Sequence, residues 1–478
     1  MKIFNLLLLS LLTGSLSAFG QTMKADTTGK VWGINECVQY AWSHNLEIQS
    51  GRLTQKITES EKTRSFSQML PSLSLNAGHN WNATPNAVSG DKSSQSGNAG
   101  LSGALDLFSG AQKYNSFLQS SATVESGFYD LEARKNSLKL TVIQAYLQVL
   151  LNREKLIAAR SQVEVSSRNL VKIKAKAALG LASDYMVLQG ESQLAVDDYN
   201  SISQESNLRL AQLNLKQVLN YPSDSLISIQ VLIPLSIAGH LQDSTVDIEP
   251  VYLAAKSALP EFKSAEFNRI ASDYSLSSSK GSWFPSLSLT YGLSTSWSSR
   301  NQTQSFTGTT SSVPSGYLQS DPTELVLSDQ PVSTWKKTSF GDQISQNLSP
   351  YIGLNLSFPI LDNRSRSTRI EQSEIQFEKA KLNEKQTEVS VKKQVESTVF
   401  NYRNSLKQFE ASKYAYNLAQ AAFNQTEKKY EQGLISGYDY LTEKNALQQR
   451  ETEFLQVKYQ HVLNRLTLDY YQQKELEW

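Results

Sequence analysis

The chain has 478 residues, with 46 Lys and Arg against 45 Asp and Glu, and one cysteine. The net charge of +1 argues against a general nucleic-acid binder, which needs a basic excess. A single cysteine excludes an intrachain disulfide framework and any cysteine-rich zinc site.

Lys2 precedes an apolar stretch, Ile3 to Leu12, and then small residues ending in Ala18-Phe19-Gly20. These are the parts of a secretory signal, expected over residues 1–20, with the mature chain starting at Gln21. The run is too short for a bilayer span, which takes about 20 apolar residues. No cysteine follows it to carry a lipid. Cys37 lies in the helical pattern Glu36–Tyr40 and reads as a small packed residue. Later apolar runs such as Val231–Ala238 are short and broken by proline, so a membrane contact has to be made by β-strands.

The chain reads as two copies of one pattern. Pro71-Ser72-Leu73-Ser74-Leu75 recurs as Pro285-Ser286-Leu287-Ser288-Leu289, 214 residues later. Leu107-Phe108-Ser109 aligns with Ile360-Leu361-Asp362, and Gly180–Tyr185 with Gly433–Tyr438, both at a distance of 253. The 39-residue difference falls in a Ser/Thr/Gln-rich stretch, about Ser298 to Asn347, expected as an enlarged loop. The division is a first repeat over 21–220, a linking segment over 221–250 and a second repeat over 251–478.

Around each Pro-Ser-Leu-Ser-Leu the apolar period is two, that of a strand. Leu73, Leu75, Ala77, His79 and Trp81 alternate with Ser72, Ser74, Asn76, Gly78 and Asn80. Ala99, Leu101, Leu105 and Leu107 alternate with Gly100, Ser102, Ala104 and Asp106. The second copy repeats this with Leu287–Leu293 and with Ile352–Phe358. Strands are expected over about 70–83, 97–108, 283–297 and 348–360, close to the length that crosses a bilayer when tilted. Trp81, Trp283, Tyr291, Trp297 and Tyr351 are expected near strand ends, where interfacial aromatics belong.

Long helices follow each strand pair, about 109–179 and 184–219, then 363–432 and 437–474. Val142, Val149, Leu156, Val163, Leu170 and Ala177 recur every seven residues. Their counterparts 253 residues on are Val395, Tyr402, Phe409, Tyr416, Phe423 and Tyr430. Such a seam indicates coiled-coil-like packing, and about 70 helical residues span roughly 100 Å.

The expected fold class is therefore mainly α with a membrane β-barrel. Four strands per chain cannot close a barrel, and open edges are not tolerated in lipid. Strands must be pooled between copies, eight in a dimer or twelve in a trimer. Small Ser, Gly, Asn and Thr on one face suit a water-filled lumen and favour twelve.

The ordered set of paired strands, long helices and Gly-Leu turns resembles the outer-membrane efflux protein family, the TolC-like outer membrane factors, over nearly the whole mature chain. The resemblance rests also on Leu105–Gly110 and Phe358–Asn363. It implies a homotrimer in outer-membrane lipid, its barrel continued by a helical tunnel in the periplasm. It implies passive export, with a periplasmic adaptor (membrane fusion protein) and an inner-membrane transporter of RND or ABC type as partners. The Gly180-Leu181 and Gly433-Leu434 turns match the family's adaptor-docking tips. Asp439 matches an aspartate lining the closed end, where a ring of three carboxylates selects cations and binds a divalent ion. Tyr430 matches a tyrosine that holds the closed state. Ile435, Thr442 and Met186 depart from the family's gate residues. The segment Tyr221–Pro250 resembles its equatorial region.

His44, His79, His240 and His461 are scattered, and no P-loop or nucleophile-elbow motif is present. Neither enzyme chemistry nor a cofactor or metal site is expected, and no nucleic-acid partner. The alternative reading is a pore-less periplasmic coiled-coil scaffold. It tolerates an arginine at Leu287 or Leu354, which a barrel does not.

Overall fold

The computed structural model describes residues 32–83, 93–222 and 246–474. The signal over 1–20, the run Val231–Ala238, His240 and most of the segment 221–250 lie outside them. Short helices α1 (Ile34–His44) and α2 (Leu46–Ser67) lead into strands β1 (Ser72–Ala83) and β2 (Ser93–Phe108). Long helices α3 (Gln112–Ala178) and α4 (Asp184–Leu219) follow. After α5 (Ile248–Ala258), α6 (Pro260–Gly281) and β3 (Ser286–Ser298) come two further strands, β4 (Gln302–Leu318) and β5 (Asp321–Lys337). The short helix α7 (Phe340–Gln346), β6 (Ser349–Ser357), α8 (Ser365–Glu431) and α9 (Gly437–Tyr471) complete the chain.

The spacing seen in the sequence recurs in the backbone. Helices α5 and α6 begin and end 214 residues after α1 and α2, and α8 begins and ends 253 residues after α3. Left-handed residues recur at the same distance. Gly110 and Ala111 pair with Asn363 and Arg364 at the strand-to-helix junctions, Gly180 with Gly433, and Asn220 with Gln473.

The main sheet is antiparallel in the order β1-β2-β3-β6. Its register sets Leu75 beside Leu101 and Leu101 beside Leu293, and Leu105 beside Leu289 and Leu289 beside Leu354. Cross-strand neighbours share a face, so these leucines, with Leu73, Ile352 and Leu356, form one apolar face. Leu354 is 68% exposed. The other face is built of rows such as Ser74, Ser102 and Gly292, or Asn76, Gly100 and Ser294.

Several expectations need correction. The stretch 298–347 is not a loop: it holds the β4–β5 hairpin and α7. The hairpin's base is closed by a bond from Thr338 N to Asn301 O, 3.1 Å. Strand β2 begins at Ser93, because Ser93–Asn98 pair with Ala83–Gly78 despite having no apolar alternation. The alternation expected through Leu107 breaks at a bulge, and Phe108 pairs with Leu287 in its place. Tyr291 lies in mid-strand, its ring covering Gly103, where a Cβ would sit 2.5 Å from the ring carbons. Trp283 precedes its strand and stacks over the Arg366 guanidinium at 4.8 Å.

Every heptad position named above is buried or half-buried. Helix α1 buries Ile34, Cys37, Val38 and Ala41 in one core with Val142, Ile143 and Tyr146 of α3, Leu215 and Leu219 of α4, and Val462 of α9. Burial pushes the Cys37 thiol up to about 12, as befits a packing residue. Helix α5 does the same with Val251, Tyr252 and Ala255 against Val395, Val399 and Tyr402 of α8. Helices α3 and α9 meet, so the α3–α4 and α8–α9 hairpins adjoin through them.

Candidate functional site at the helical tips

The two long hairpins turn at equivalent places. Helix α3 ends in a left-handed Gly180, with φ of 73°. The Leu181 N–H bonds Lys176 O and the Gly180 N–H bonds Ala177 O, both at 2.9 Å. Gly433, with φ of 75°, ends α8 in the same way: Leu434 N bonds Lys429 O and Gly433 N bonds Tyr430 O. This pair of bonds is the Schellman motif, in which glycine takes the left-handed position free of strain. The leucine after such a glycine ordinarily packs back on the helix. Here Leu181 is 74% and Leu434 69% exposed, so both turns present an apolar side chain outward.

Asp439 sits in the first turn of α9 and is engaged by Ser436. The Ser436 hydroxyl accepts from Asp439 N at 3.2 Å, and the Asp439 carboxylate accepts from Ser436 N at 3.3 Å. This reciprocal capping box satisfies two donors that a helix start leaves open. Thr442 caps nothing; its hydroxyl donates to Tyr438 O at 2.9 Å.

Tyr430 is half-buried and stacks on Tyr440 of α9, with ring centroids 4.6 Å apart. Lys176 Nζ lies 6.0 Å from the Tyr430 ring centre. Tyr440 also meets Phe423, and burial pushes its hydroxyl up to about 12. Met186, Gly437 and Tyr430 line one narrow crevice, so the copy-one and copy-two tips adjoin there. A larger cleft of about 790 Å³ opens between the ends of α3 and α8, walled by Arg168, Lys172, Lys176, Lys428, Tyr430 and Tyr440. Lys172 bonds Glu431 across it at 2.7 Å, which holds the Glu431 carboxyl below the usual carboxylate range.

A family model described as outer membrane efflux protein matches residues 38–221 and 251–471, nearly all of both halves. The chain belongs to the outer membrane efflux protein family. None of the curated proteins matches it. Solved structures do. The Vibrio cholerae outer membrane protein VceC is 12% identical over 93% of this chain and 97% of its own, with a TM-score of 0.71. The Campylobacter jejuni CmeC outer membrane channel is 16% identical over 93% of this chain and 87% of its own, with a TM-score of 0.69. The open-state MtrE outer membrane channel of Neisseria gonorrhoeae is 16% identical over 92% and 88%, with a TM-score of 0.65. At these identities the likeness is one of fold.

Within this efflux-family fold, the tips hold one group that the sequence reading missed. Lys444 of α9, Asp197 of α4 and Ser166 of α3 are buried together. The sequence carried a signal for it. Lys444 stands four residues after Tyr440 and three before Leu447, both buried, so it is a charge on an apolar seam. Among the described residues, no group of three or more His, Cys, Asp or Glu is placed to hold a metal, and no helix is long and apolar enough to cross a membrane.

Proposed function

We propose that this chain is the outer-membrane duct of a three-part export system, a passive channel for cargo handed over by an inner-membrane pump of RND or ABC type and a periplasmic adaptor. One observation carries the reading. A four-stranded sheet, apolar on one face and Ser/Gly/Asn-rich on the other, ends in two unpaired edges, β1 and β6. In lipid those edges must be paired, and copies of the chain supply the partners. Three copies give twelve strands, a size that leaves a lumen.

The helices support the same ring. Helix α3 meets α9, whereas α4 and α8 share no comparable contact with each other. Both of the latter carry exposed apolar residues, Tyr199 and Ile202 on α4, Leu382 and Phe400 on α8, with Tyr199 71% exposed. The α8 flank of one copy against the α4 flank of the next is a heterologous contact, which closes into a ring.

In this reading residues 1–20 are the export signal, and the repeats 21–220 and 251–478 each supply two strands and a tunnel-wall hairpin. The turns at Gly180-Leu181 and Gly433-Leu434 receive the adaptor through their outward leucines. Asp439 and Tyr430 belong to the closed end of the tunnel.

The test is extraction and conductance. The mature protein should need detergent, run as a trimer and form discrete conductance steps in planar bilayers. A detergent-free monomer without conductance would leave the periplasmic scaffold as the reading that stands.

A further inference from the structure

From its start at Asp184, helix α4 has no buried residue before Asp197, and after it none before Ala211. The one buried residue of α4 between Asp184 and Ala211 is thus a carboxylate; the other contacts of this stretch with α3 are less buried, as where Gly190 lies close against Leu170 and Ile173 and where Glu191 pairs with Lys174. Asp197 faces Lys444 of α9, whose Nζ lies 2.5 Å from Asp197 Oδ2; both side chains are essentially inaccessible to water. Ser166 of α3 joins them, its hydroxyl donating to the same carboxylate oxygen and accepting from Lys444. Gln193 donates to the other oxygen, Asp197 Oδ1, at 3.1 Å. Each oxygen of the carboxylate therefore has a donor.

A leucine in place of Lys444 would match its neighbours on the seam and carry no desolvation cost. A lysine is tolerable there only while paired, and losing either partner strands the other charge. The contacts toward the turns are of a different kind. There the two hairpins are joined across an open cleft by Lys172 and Glu431, both more than half exposed, and by Lys176 over Tyr430, and they adjoin at the narrow crevice of Met186, Gly437 and Tyr430. Exposed pairs of that kind contribute about 0–1 kcal/mol. The buried group lies about 20 Å along α3 from the Gly180 turn, at 1.5 Å per residue.

We propose that Lys444, Asp197 and Ser166 form a latch that clamps the α8–α9 hairpin to the α3–α4 hairpin, and that its release frees the tips to part. The latch stands on packing within one protomer and does not require the duct reading. It requires a change confined to the tips, because the apolar cores around α1 and α5 hold the hairpins together farther up.

The test is hydrogen exchange on the full-length, detergent-extracted protein. Lys444→Met should speed exchange in residues 167–196 and 424–443 by at least about tenfold, the least expected from breaking a buried pair, and leave β1, β2, β3 and β6 unchanged. Adding Asp197→Leu to Lys444→Met removes the stranded charge but also the latch, so exchange at the tips should stay faster than in the native chain, though by less than in Lys444→Met. Ser166→Ala, which leaves the ion pair in place, should speed the same segments by a smaller factor and serves if Lys444→Met does not fold. Unchanged tip exchange in the variants overturns the latch. So does acceleration spread equally over the sheet, or exchange as slow as the native chain's in the double variant. In planar bilayers Lys444→Met should open more often than the native chain. If the native chain forms no pore, the duct reading fails while the exchange result still decides the latch.

Discussion

Ser436 and Asp439 cap one another at the start of α9, each accepting from the other's backbone N–H. Asp439 is therefore a structural part of the tip before it is anything else. Asp439→Ala should loosen the 433–440 turn by about 1 kcal/mol, the usual cost of a lost cap, seen as faster exchange there. Asp439→Asn keeps an acceptor for Ser436 N and should leave the turn intact. If the three carboxylates face the lumen, Asp439→Asn alone should lower cation preference and block by divalent ions. Unchanged ion selectivity in the Asn variant would confine Asp439 to its cap.

The sheet's two faces should respond oppositely to the same substitution. Leu354→Arg or Leu75→Arg places a charge on the leucine face and should cost about 2–4 kcal/mol at the bilayer midplane, with loss of assembled trimer. Ser102→Arg, on the small polar face, should assemble and change conductance. Semi-native gels of membrane fractions separate the outcomes, and equal tolerance on both faces contradicts a lipid-facing leucine surface.

His461 of α9 is packed between Tyr402 and Phe409, with its Nδ1 3.0 Å from the Ser405 hydroxyl. Burial, with Arg465 adding to it, lowers its pKa to about 4 from 6.5. The unfolded chain takes up this proton near pH 6.5 and the folded chain only near 4, so stability is lost as pH falls through that window. Between pH 7 and 5 the loss should be on the order of 1–2 kcal/mol. His461→Phe, which keeps the ring stack, should flatten that part of the profile. The check is the difference in urea midpoint between the two proteins at each pH.

The β4–β5 hairpin leaves and re-enters the chain at adjacent points, Asn301 and Thr338. Joining these residues by deletion of 302–337 closes a base that is already hydrogen-bonded. The shortened protein should assemble and conduct as the full chain does, since a surface excursion with paired ends is removable. Loss of the trimer on deletion would show that the hairpin takes part in assembly.

The long helices were legible because a seven-residue seam runs from Val142 to Ala177 in α3 and from Val395 to Tyr430 in α8, and proline is absent from both. The four strands of the main sheet were legible where one face is leucine. The polar start of β2, Ser93–Asn98, was not, because strand pairing there rests on backbone bonds to β1 and not on alternation. The hairpin over 302–337 was hidden for the same reason. It has no buried face, and Pro314, Pro331, Gly308 and Gly316 read as loop punctuation. At the tips, Gly180 and Gly433 could be read from turn chemistry. Asp197 and Ser166 could not: on a long polar helix an aspartate or serine is ordinarily solvated, and only their meeting with Lys444 from 247 and 278 residues away makes them a group.

The paired left-handed residues have one more implication. Ala111 and Arg364 hold the same backbone conformation with unlike side chains, as do Asn220 and Gln473. What the two halves share is a path of the chain, kept while the residues along it diverged. The proposed ring of three such chains would then be six near-copies of one half-length unit. The latch distinguishes them, because the positions matching Ser166, Asp197 and Lys444 in the other half are Ala419, Arg450 and Glu191. In the proposed trimer every second seam would carry this group and every second one would lack it, which would turn a nominally sixfold wall into a threefold one.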